Sequence, residues 1–352
     1  MNSQKIRTNV RLAAYTSFGV GGVAENLFEP SNTEALVDFL QNNKIEPIWL
    51  LGYGSNTLIS DKGLPGLTIL LKGGTIEVED SLVIADAGVW WDDVVQTAID
   101  NDLWGIENLS EVPGSVGAAI FINIAAYGQS IGPVVEWVEV WNSDKQQIVR
   151  IQKNELRWSY KESIFQDEKM KHAIILRAAL RLTRNSPSKL EYQKAIDVAE
   201  ELSLDAYNIN DRRKIIIEAR RRAGSLWKPG DTSTHTAGSF FKNKSVDAQL
   251  AEKIIRFDES GKTADQIKKM NQTHAGDSRK VSAAHILLAA GFHRGQRWDN
   301  VKLHDDNLLK IEALEGASAQ NIYDAMKHIQ ETVMNELGIK LEAEVRLLGD
   351  FS

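Results

Sequence analysis

Pro47-Ile48-Trp49-Leu50-Leu51-Gly52-Tyr53-Gly54-Ser55-Asn56 is an apolar run that empties directly into a glycine-rich turn. The run 47–51 reads as a short buried strand, bounded by Pro on one side and Gly on the other. Glycines at 52 and 54 let the backbone approach a ligand closely, and successive amides in such a turn can form a nest for phosphate oxygens. Taken alone, Gly-x-Gly-Ser-Asn describes an ordinary turn equally well. Just upstream, Ser31-x-x-Glu34 reads as a capping box, followed by Leu36, Val37, Phe39 and Leu40 at helical spacing. The local order is helix, strand, glycine-rich turn.

A second segment, Pro113-Gly114-Ser115-Val116-Gly117-Ala118-Ala119, repeats the combination of small residues and a hydroxyl, with Asn123 and Tyr127 following as polar groups. Gly114 and Gly117 are read as giving backbone access to a ligand. Two cradles in one chain favour a long ligand carrying two phosphates. Gly19-x-Gly21-x-x-Ala24 also matches a dinucleotide fingerprint formally, but that motif should follow a strand and open a helix. Here it leads into Glu25-Asn26-Leu27-Phe28, which reads as a strand, so the Rossmann reading is rejected.

Farther along, strands are expected at 67–71, 75–78, 82–87, 134–141, 147–152, 173–182 and 341–348, with hairpins across 79–81 and 142–144. Helices are expected at 91–101, 189–202, 208–222, 247–257, 281–290 and 318–337, the last two closed by Gly291 and Gly338. The tract 224–236, rich in Gly, Ser, Pro and Thr, reads as a boundary.

At 352 residues, with 43% hydrophobic and 25% charged side chains, the chain is a folded protein of two or three domains. A net charge of -7 gives no general attraction to nucleic acid or anionic membrane. The absence of cysteine excludes disulfides, thiolate metal sites and thiol catalysis, and is compatible with a reducing compartment. Seven scattered histidines lack the spacing that puts two ligands on one helical face, so no metal is assigned. No signal-peptide core or uninterrupted membrane span is found, and a cytoplasmic protein is expected. The basic run Arg212-Arg213-Lys214 with Arg220-Arg221-Arg222 has no aromatic interleaving and reads as a solvated helix face rather than a nucleic-acid platform.

A third segment, Ala237-Gly238-Ser239-Phe240-Phe241-Lys242-Asn243, carries a serine between a glycine and two phenylalanines. Such a serine either caps a turn or, held in a partly dry pocket, donates a proton to a developing carbanion. Glu344 in the last expected strand and Lys161 in Tyr160-Lys161-Glu162-Ser163 read on their own as solvated charges.

Together the three segments resemble the bacterial UDP-N-acetylenolpyruvoylglucosamine reductase family, also called UDP-N-acetylmuramate dehydrogenase. The likeness runs from Thr16-Ser17-Phe18-x-Val20-Gly21-Gly22, through Glu107-Asn108-Leu109, to Leu341-Glu342-Ala343-Glu344-Val345-Arg346. It implies an α+β fold in which two FAD-binding subdomains of the vanillyl-alcohol oxidase type, 1–72 and 73–228, precede a substrate-binding domain, 229–344. The terminal strand, 345–352, would return to the first subdomain. The implied reaction is NADPH-dependent reduction, through bound FAD, of an enolpyruvyl UDP-sugar, and a monomer is expected.

By the same resemblance Ser239 is the proton donor, Glu344 polarises the enol intermediate, and Lys161 stands where most members carry arginine. A lysine supplies the charge but not the planar two-point grip of a guanidinium. The cofactor is assigned to Gly52, Gly54, Ser55, Asn56, Thr57, Pro113, Gly114, Gly117, Ala118, Asn123 and Tyr127. Ala125 replaces a usual glycine, and Ile120 and Ile122 stand where proline and glutamine are common. Tyr192, Lys228 and Asn243 are assigned to the sugar nucleotide, Tyr192 on a segment that would close over it. FAD should be held without a covalent link, since no cysteine exists and no histidine falls in the flavin motifs. Two other readings stay open: an FAD oxidase on the same scaffold, and an idle flavin- or nucleotide-binding module.

Overall fold

The computed structural model describes residues 6–184, 189–233, 235–255 and 278–352. The apolar run becomes the strand Ile48–Leu51, an edge of a four-stranded sheet ordered Arg7–Arg11, Val23–Phe28, Leu64–Leu70, Ile48–Leu51. Val23–Phe28 and Ile48–Leu51 both run parallel to Leu64–Leu70. Parallel neighbours need a crossover, and helix α1, Thr33–Asn42, provides it. Leu36 and Leu40 of α1 pack with Phe28, Leu67 and Ile69. The helix is capped by Asn32, whose side chain accepts from the Ala35 amide at 2.8 Å, and not by Ser31 as expected. The start thus shifts by one residue, which leaves Glu34 in the first turn to interact with the helix dipole instead of closing a capping box.

A second, antiparallel sheet is ordered Gln147–Gln152, Val135–Asn142, Ala173–Arg181, Leu82–Asp86, Ile76–Glu79. Helices α2, Trp91–Asp100, and α3, Val116–Phe121, contribute to the apolar core that this sheet buries. Helices α4, Gln193–Glu201, and α5, Ile209–Arg222, follow and bury Ala195, Val198, Ile215, Ile216 and Ala219.

The basic run on α5 is only partly a solvated face. Lys214, Arg221 and Arg222 pair on the surface with Asp211, Glu218 and Glu201, but Arg212 is 1% exposed and Arg220 7%. Positions 212, 216, 219 and 220 share one side of a 3.6-residue helix, so these two arginines turn inward with Ile216 and Ala219.

The chain folds into two compact units. The first comprises Met1–Val10, Ala24–Ser55 and Leu64–Pro229; the second comprises Arg11–Val23, Asn56–Gly63 and Gly230–Ser352. The second unit holds α6, Ala248–Ile255, α7, Ala283–Ala289, and α8, Ala319–Leu337. The tail of the helix expected over 247–257 lies outside the described residues. Helix α8 begins with a Ser318/Asn321 capping box and ends on left-handed Gly338, and the Asp61 carboxylate accepts from its first amides, Ala319 and Gln320, at 3.0 and 2.8 Å. A three-stranded sheet, Arg297–Trp298, Val301–Leu303 and Ile311–Ala313, packs in the same core.

The terminal strand is shorter than expected. It spans Arg346–Leu348, parallel to Thr57–Ile59 in the second unit, and Glu344 lies in a bend ahead of it. Among the described residues no helix is long and apolar enough to cross a membrane.

Candidate active site

In the first unit the strand Ile48–Leu51 ends and its chain turns at Gly52. Gly54 adopts φ 66°, a left-handed conformation that glycine takes without steric penalty. Among the described residues the amides of Gly52, Tyr53 and Gly54 donate to no group of the chain, although Gly54 is buried. Buried amides are almost always paired, so the Gly54 donor, with the half-buried Gly52 and Tyr53 amides beside it, fits an anionic ligand. Ser55 donates through Oγ to the Pro113 carbonyl at 3.0 Å. A Cβ placed on Gly52 would stand 2.8 Å from Ser115 Oγ, so the two glycine-rich segments touch.

Their roles differ. The amides of Val116 and Gly117 donate to the carbonyls of Val89 and Ala87, and those of Ala118 and Ala119 to Ser115. The amino terminus of α3 therefore has no spare donor at those four positions. A Cβ on Gly117 would meet Ala87 Cβ at 3.0 Å, so this glycine serves close packing and not ligand access. Gly114 is the open position, since at φ 145° its Cβ direction meets only Ser55 Oγ, at 3.6 Å. The arrangement is one nest, at 52–54, with the second segment as its wall.

Helix α3 ends at Phe121, and the chain after it holds Lys161. Lys161 occupies the tip of a hairpin formed by Trp158–Ser159 and Glu162–Ser163, with φ 59°. Ser163 Oγ and Gln166 Nε2 donate to the Phe121 carbonyl at 2.6 and 2.9 Å. Asn123, 5% exposed, donates through Nδ2 to the Ser159 carbonyl at 2.7 Å and accepts from the Gly132 amide at 3.0 Å. Tyr127 packs edge-on against Tyr192 with ring centroids 5.0 Å apart. Burial pushes the Tyr127 phenol up, against the opposing field of Arg220, so it is a neutral donor at pH 7. Tyr192 is 46% exposed and immediately precedes α4. Lys228 Nζ lies 3.4 Å from Glu111 Oε1.

In the second unit the segment around Ser239 is pinned from both sides. The Phe240 amide donates to the Leu309 carbonyl at 2.8 Å, and the Phe240 carbonyl accepts from the Glu344 amide at 2.8 Å. Phe241 bridges Ala343, while Phe240 and Phe241 are buried as anchors beneath a half-buried Ser239. Ser239 and Glu344, 105 residues apart in sequence, thus sit on neighbouring segments. Asn56 Nδ2 donates to the Glu344 carbonyl at 3.1 Å, and the Arg346 amide donates to the Asn56 carbonyl at 3.0 Å. Thr57 opens the strand that pairs with Arg346. Asn243 Oδ1 accepts from the Ala283 amide at 3.0 Å, at the start of α7.

One buried pair was missed from sequence. Arg213 forks onto Asp92 with bonds of 2.8 and 2.7 Å, and Asp92 also accepts from the Glu111 amide at 2.6 Å. Burial disfavours the charged carboxylate, but the Arg213 fork and the Glu111 amide outweigh it and hold Asp92 below the usual carboxylate range. Asp92-Asp93 at a helix start looks in sequence like a simple favourable dipole contact, which hides the pairing. Tyr53, Trp90 and Trp227 form an aromatic cluster beside the nest, with centroid distances of 4.8 and 6.4 Å. Among the described residues no group of three His, Cys, Asp or Glu side chains is placed to hold a metal ion.

Comparisons with known proteins cover up to 98% of the chain. A family profile described as "FAD binding domain" matches residues 24–151, and one described as "UDP-N-acetylenolpyruvoylglucosamine reductase, C-terminal domain" matches residues 229–348. The chain is 30% identical over 356 residues to a protein named UDP-N-acetylenolpyruvoylglucosamine reductase from Flavobacterium johnsoniae, covering 98% of this chain and 100% of that one. It is 29% identical to a protein of the same name from Polynucleobacter asymbioticus, with 98% and 97% covered. The crystal structure of the reductase from Thermus caldophilus superposes with a TM-score of 0.63 at 22% identity, covering 98% of this chain and all of that one, which shows the shared α+β fold.

Proposed function

The chain belongs to the UDP-N-acetylenolpyruvoylglucosamine reductase family, and from that premise we propose that it reduces the enolpyruvyl ether of UDP-N-acetylglucosamine to UDP-N-acetylmuramate, a step in peptidoglycan precursor synthesis. The observation that carries the chemistry is the adjacency of Ser239 and Glu344, joined through the Phe240 carbonyl and the Glu344 amide. Bound FAD supplies hydride relay from NADPH to the terminal carbon of the enolpyruvyl double bond. The Gly52, Tyr53 and Gly54 amides would hold its phosphates, with Ser55, Pro113 and Gly114 forming the adjoining wall.

Hydride adds to the terminal carbon and leaves a carboxyl-stabilised enol; the neighbouring carbon then takes a proton from the Ser239 hydroxyl, and the alkene becomes a single bond. NADP+ leaves before the enolpyruvyl substrate takes its place, and Ser239 recovers its proton from solvent. Glu344 polarises the carboxyl-stabilised enol, and Lys161 offers a positive charge to the same carboxylate. Tyr192, Lys228 and Asn243 engage the sugar nucleotide. Residues 1–72 and 73–228 serve the flavin and 229–344 the substrate. The working form is a cytoplasmic monomer.

Anaerobic mixing tests the reading. NADPH should bleach the yellow protein, and enolpyruvyl-UDP-N-acetylglucosamine should restore its colour. A colourless protein that refuses FAD, or a bleached one that regains colour with oxygen but not with the enolpyruvyl substrate, would overturn it.

A further inference from the structure

We propose that Asn123 is a positioning residue for Lys161 rather than a contact of the cofactor. Both ends of its amide are spent inside the protein: Nδ2 on the Ser159 carbonyl at 2.7 Å and Oδ1 on the Gly132 amide at 3.0 Å. The side chain is buried, so these bonds are shielded from water and hold their geometry. Ser159 pairs with Glu162 across a two-residue loop, and Lys161 is the second residue of that loop. A loop this short transmits the position of its strands to its tip.

The other contacts of the hairpin point the same way. Ser163 Oγ donates to the Phe121 carbonyl at 2.6 Å. Gln166 Nε2 donates to Phe121 at 2.9 Å and to the Lys161 carbonyl at 3.3 Å, so it ties the tip itself to the same anchor. Gly132, held by Asn123, lies under Trp158, where a Cβ would come 2.7 Å from the indole Cγ. The bonds from Asn123 to Ser159 and from Ser163 and Gln166 to Phe121 all run to the end of α3 or the two residues after it. The opposite end of that six-residue helix is the wall of the phosphate nest. Asn123 and its neighbours thereby set Lys161 at a fixed distance from the cofactor cradle, within one unit of the protein. This placement also suits a lysine, whose flexible stem gains from a tip held rigidly behind it.

The proposal rests on the reading of Lys161 as the positive group that meets the substrate carboxylate. Asn123→Ala and the milder Ser163→Ala each remove one tie. Four measurements are made on each: FAD affinity by titration of the apoprotein, bleaching by NADPH, return of colour with the enolpyruvyl substrate, and the same return in a Lys161→Ala background. FAD affinity and bleaching should stay within about twofold of the parent, while the return of colour slows by roughly 10- to 100-fold, the scale of a misplaced group. In the Lys161→Ala background neither variant should slow it further, because the tie then positions nothing.

Weakened FAD binding with unchanged colour return, or losses that multiply with Lys161→Ala, would overturn the proposal. If Asn123→Ala does not fold, Ser163→Ala decides alone, and a parental rate of colour return in that variant overturns it. A Lys161→Ala protein that regains colour at the parental rate overturns the reading of Lys161, and the positioning role with it.

Discussion

The side-chain amide of Asn56 donates to the main-chain carbonyl of Glu344 at 3.1 Å, a contact spanning 288 residues of sequence. In return the Asn56 carbonyl accepts from the Arg346 amide at 3.0 Å, so the segment from Glu344 to Arg346 is held by two bonds to one residue. Sequence reading assigns Asn56 to the cofactor, yet the donor of its amide is directed at the bend that carries Glu344.

Asn56→Ala should therefore slow the return of flavin colour by the enolpyruvyl substrate about tenfold, by loosening Glu344. Bleaching by NADPH should be spared. Stopped-flow absorbance on the two half-reactions distinguishes this from loss of a flavin contact, which would depress both.

Ser239→Ala should slow the second half-reaction by roughly 100-fold or more, the scale of a lost general acid. The buried Phe240 and Phe241 keep the segment in place, so thermal stability should change little. Equal loss of both half-reactions would make Ser239 a structural part of the pocket.

Lys161→Arg should retain or raise turnover, because a guanidinium keeps the positive charge and adds a bidentate grip on a carboxylate. A fall in turnover with an intact NADPH half-reaction would show that the hairpin tip cannot seat the larger group.

Gly114→Ala should weaken FAD binding about tenfold or more, since φ 145° is strained for any residue with a Cβ and that atom would point toward Ser55 Oγ. Titration of the apoprotein with FAD reads this directly. Gly117→Ala acts differently, crowding Ala87 and lowering the melting temperature.

Asp92→Asn should destabilise the protein by about 2 kcal/mol at neutral pH, by leaving the half-buried Arg213 without its counter-charge and charge-assisted bonds. The folded-state pKa of Asp92 is depressed, so its contribution is complete above the unfolded value near 4 and fades as pH falls through the lower folded value. Chemical denaturation across a pH series should show the gap between variant and parent closing at the acid end.

Much of this architecture is written locally. The antiparallel hairpin Ile76–Glu79 with Leu82–Asp86, the pair Val135–Asn142 with Gln147–Gln152, and the helix Ala319–Leu337 with its Ser318 start and Gly338 stop all follow from residue spacing and turn chemistry. The strand-to-turn passage at Leu51 and Gly52 was equally legible, since an apolar run and two glycines need no distant partner to announce themselves. The cap of α1 lies one residue from its expected place, because Ser31 and Asn32 are both competent caps and Asn32 takes the role.

By itself the sequence determined the long helices and the two central hairpins, the glycine-rich turns and the small set of hydroxyl, carboxylate and amine groups available for chemistry, while short strands such as Arg7–Arg11, Thr57–Ile59 and Ile311–Ala313 carried too few residues to show a period. Tertiary structure alone decided how each polar atom is spent. Asn123 and Asn243 turned out to carry bonds within the protein, Gly117 to pack instead of admit a ligand, and Arg213 to find Asp92 across 121 residues. The physical reason is range. Helical and strand periodicity act over a few residues, whereas a buried donor or charge is satisfied by whatever group folding brings within about 3 Å, irrespective of its distance along the chain.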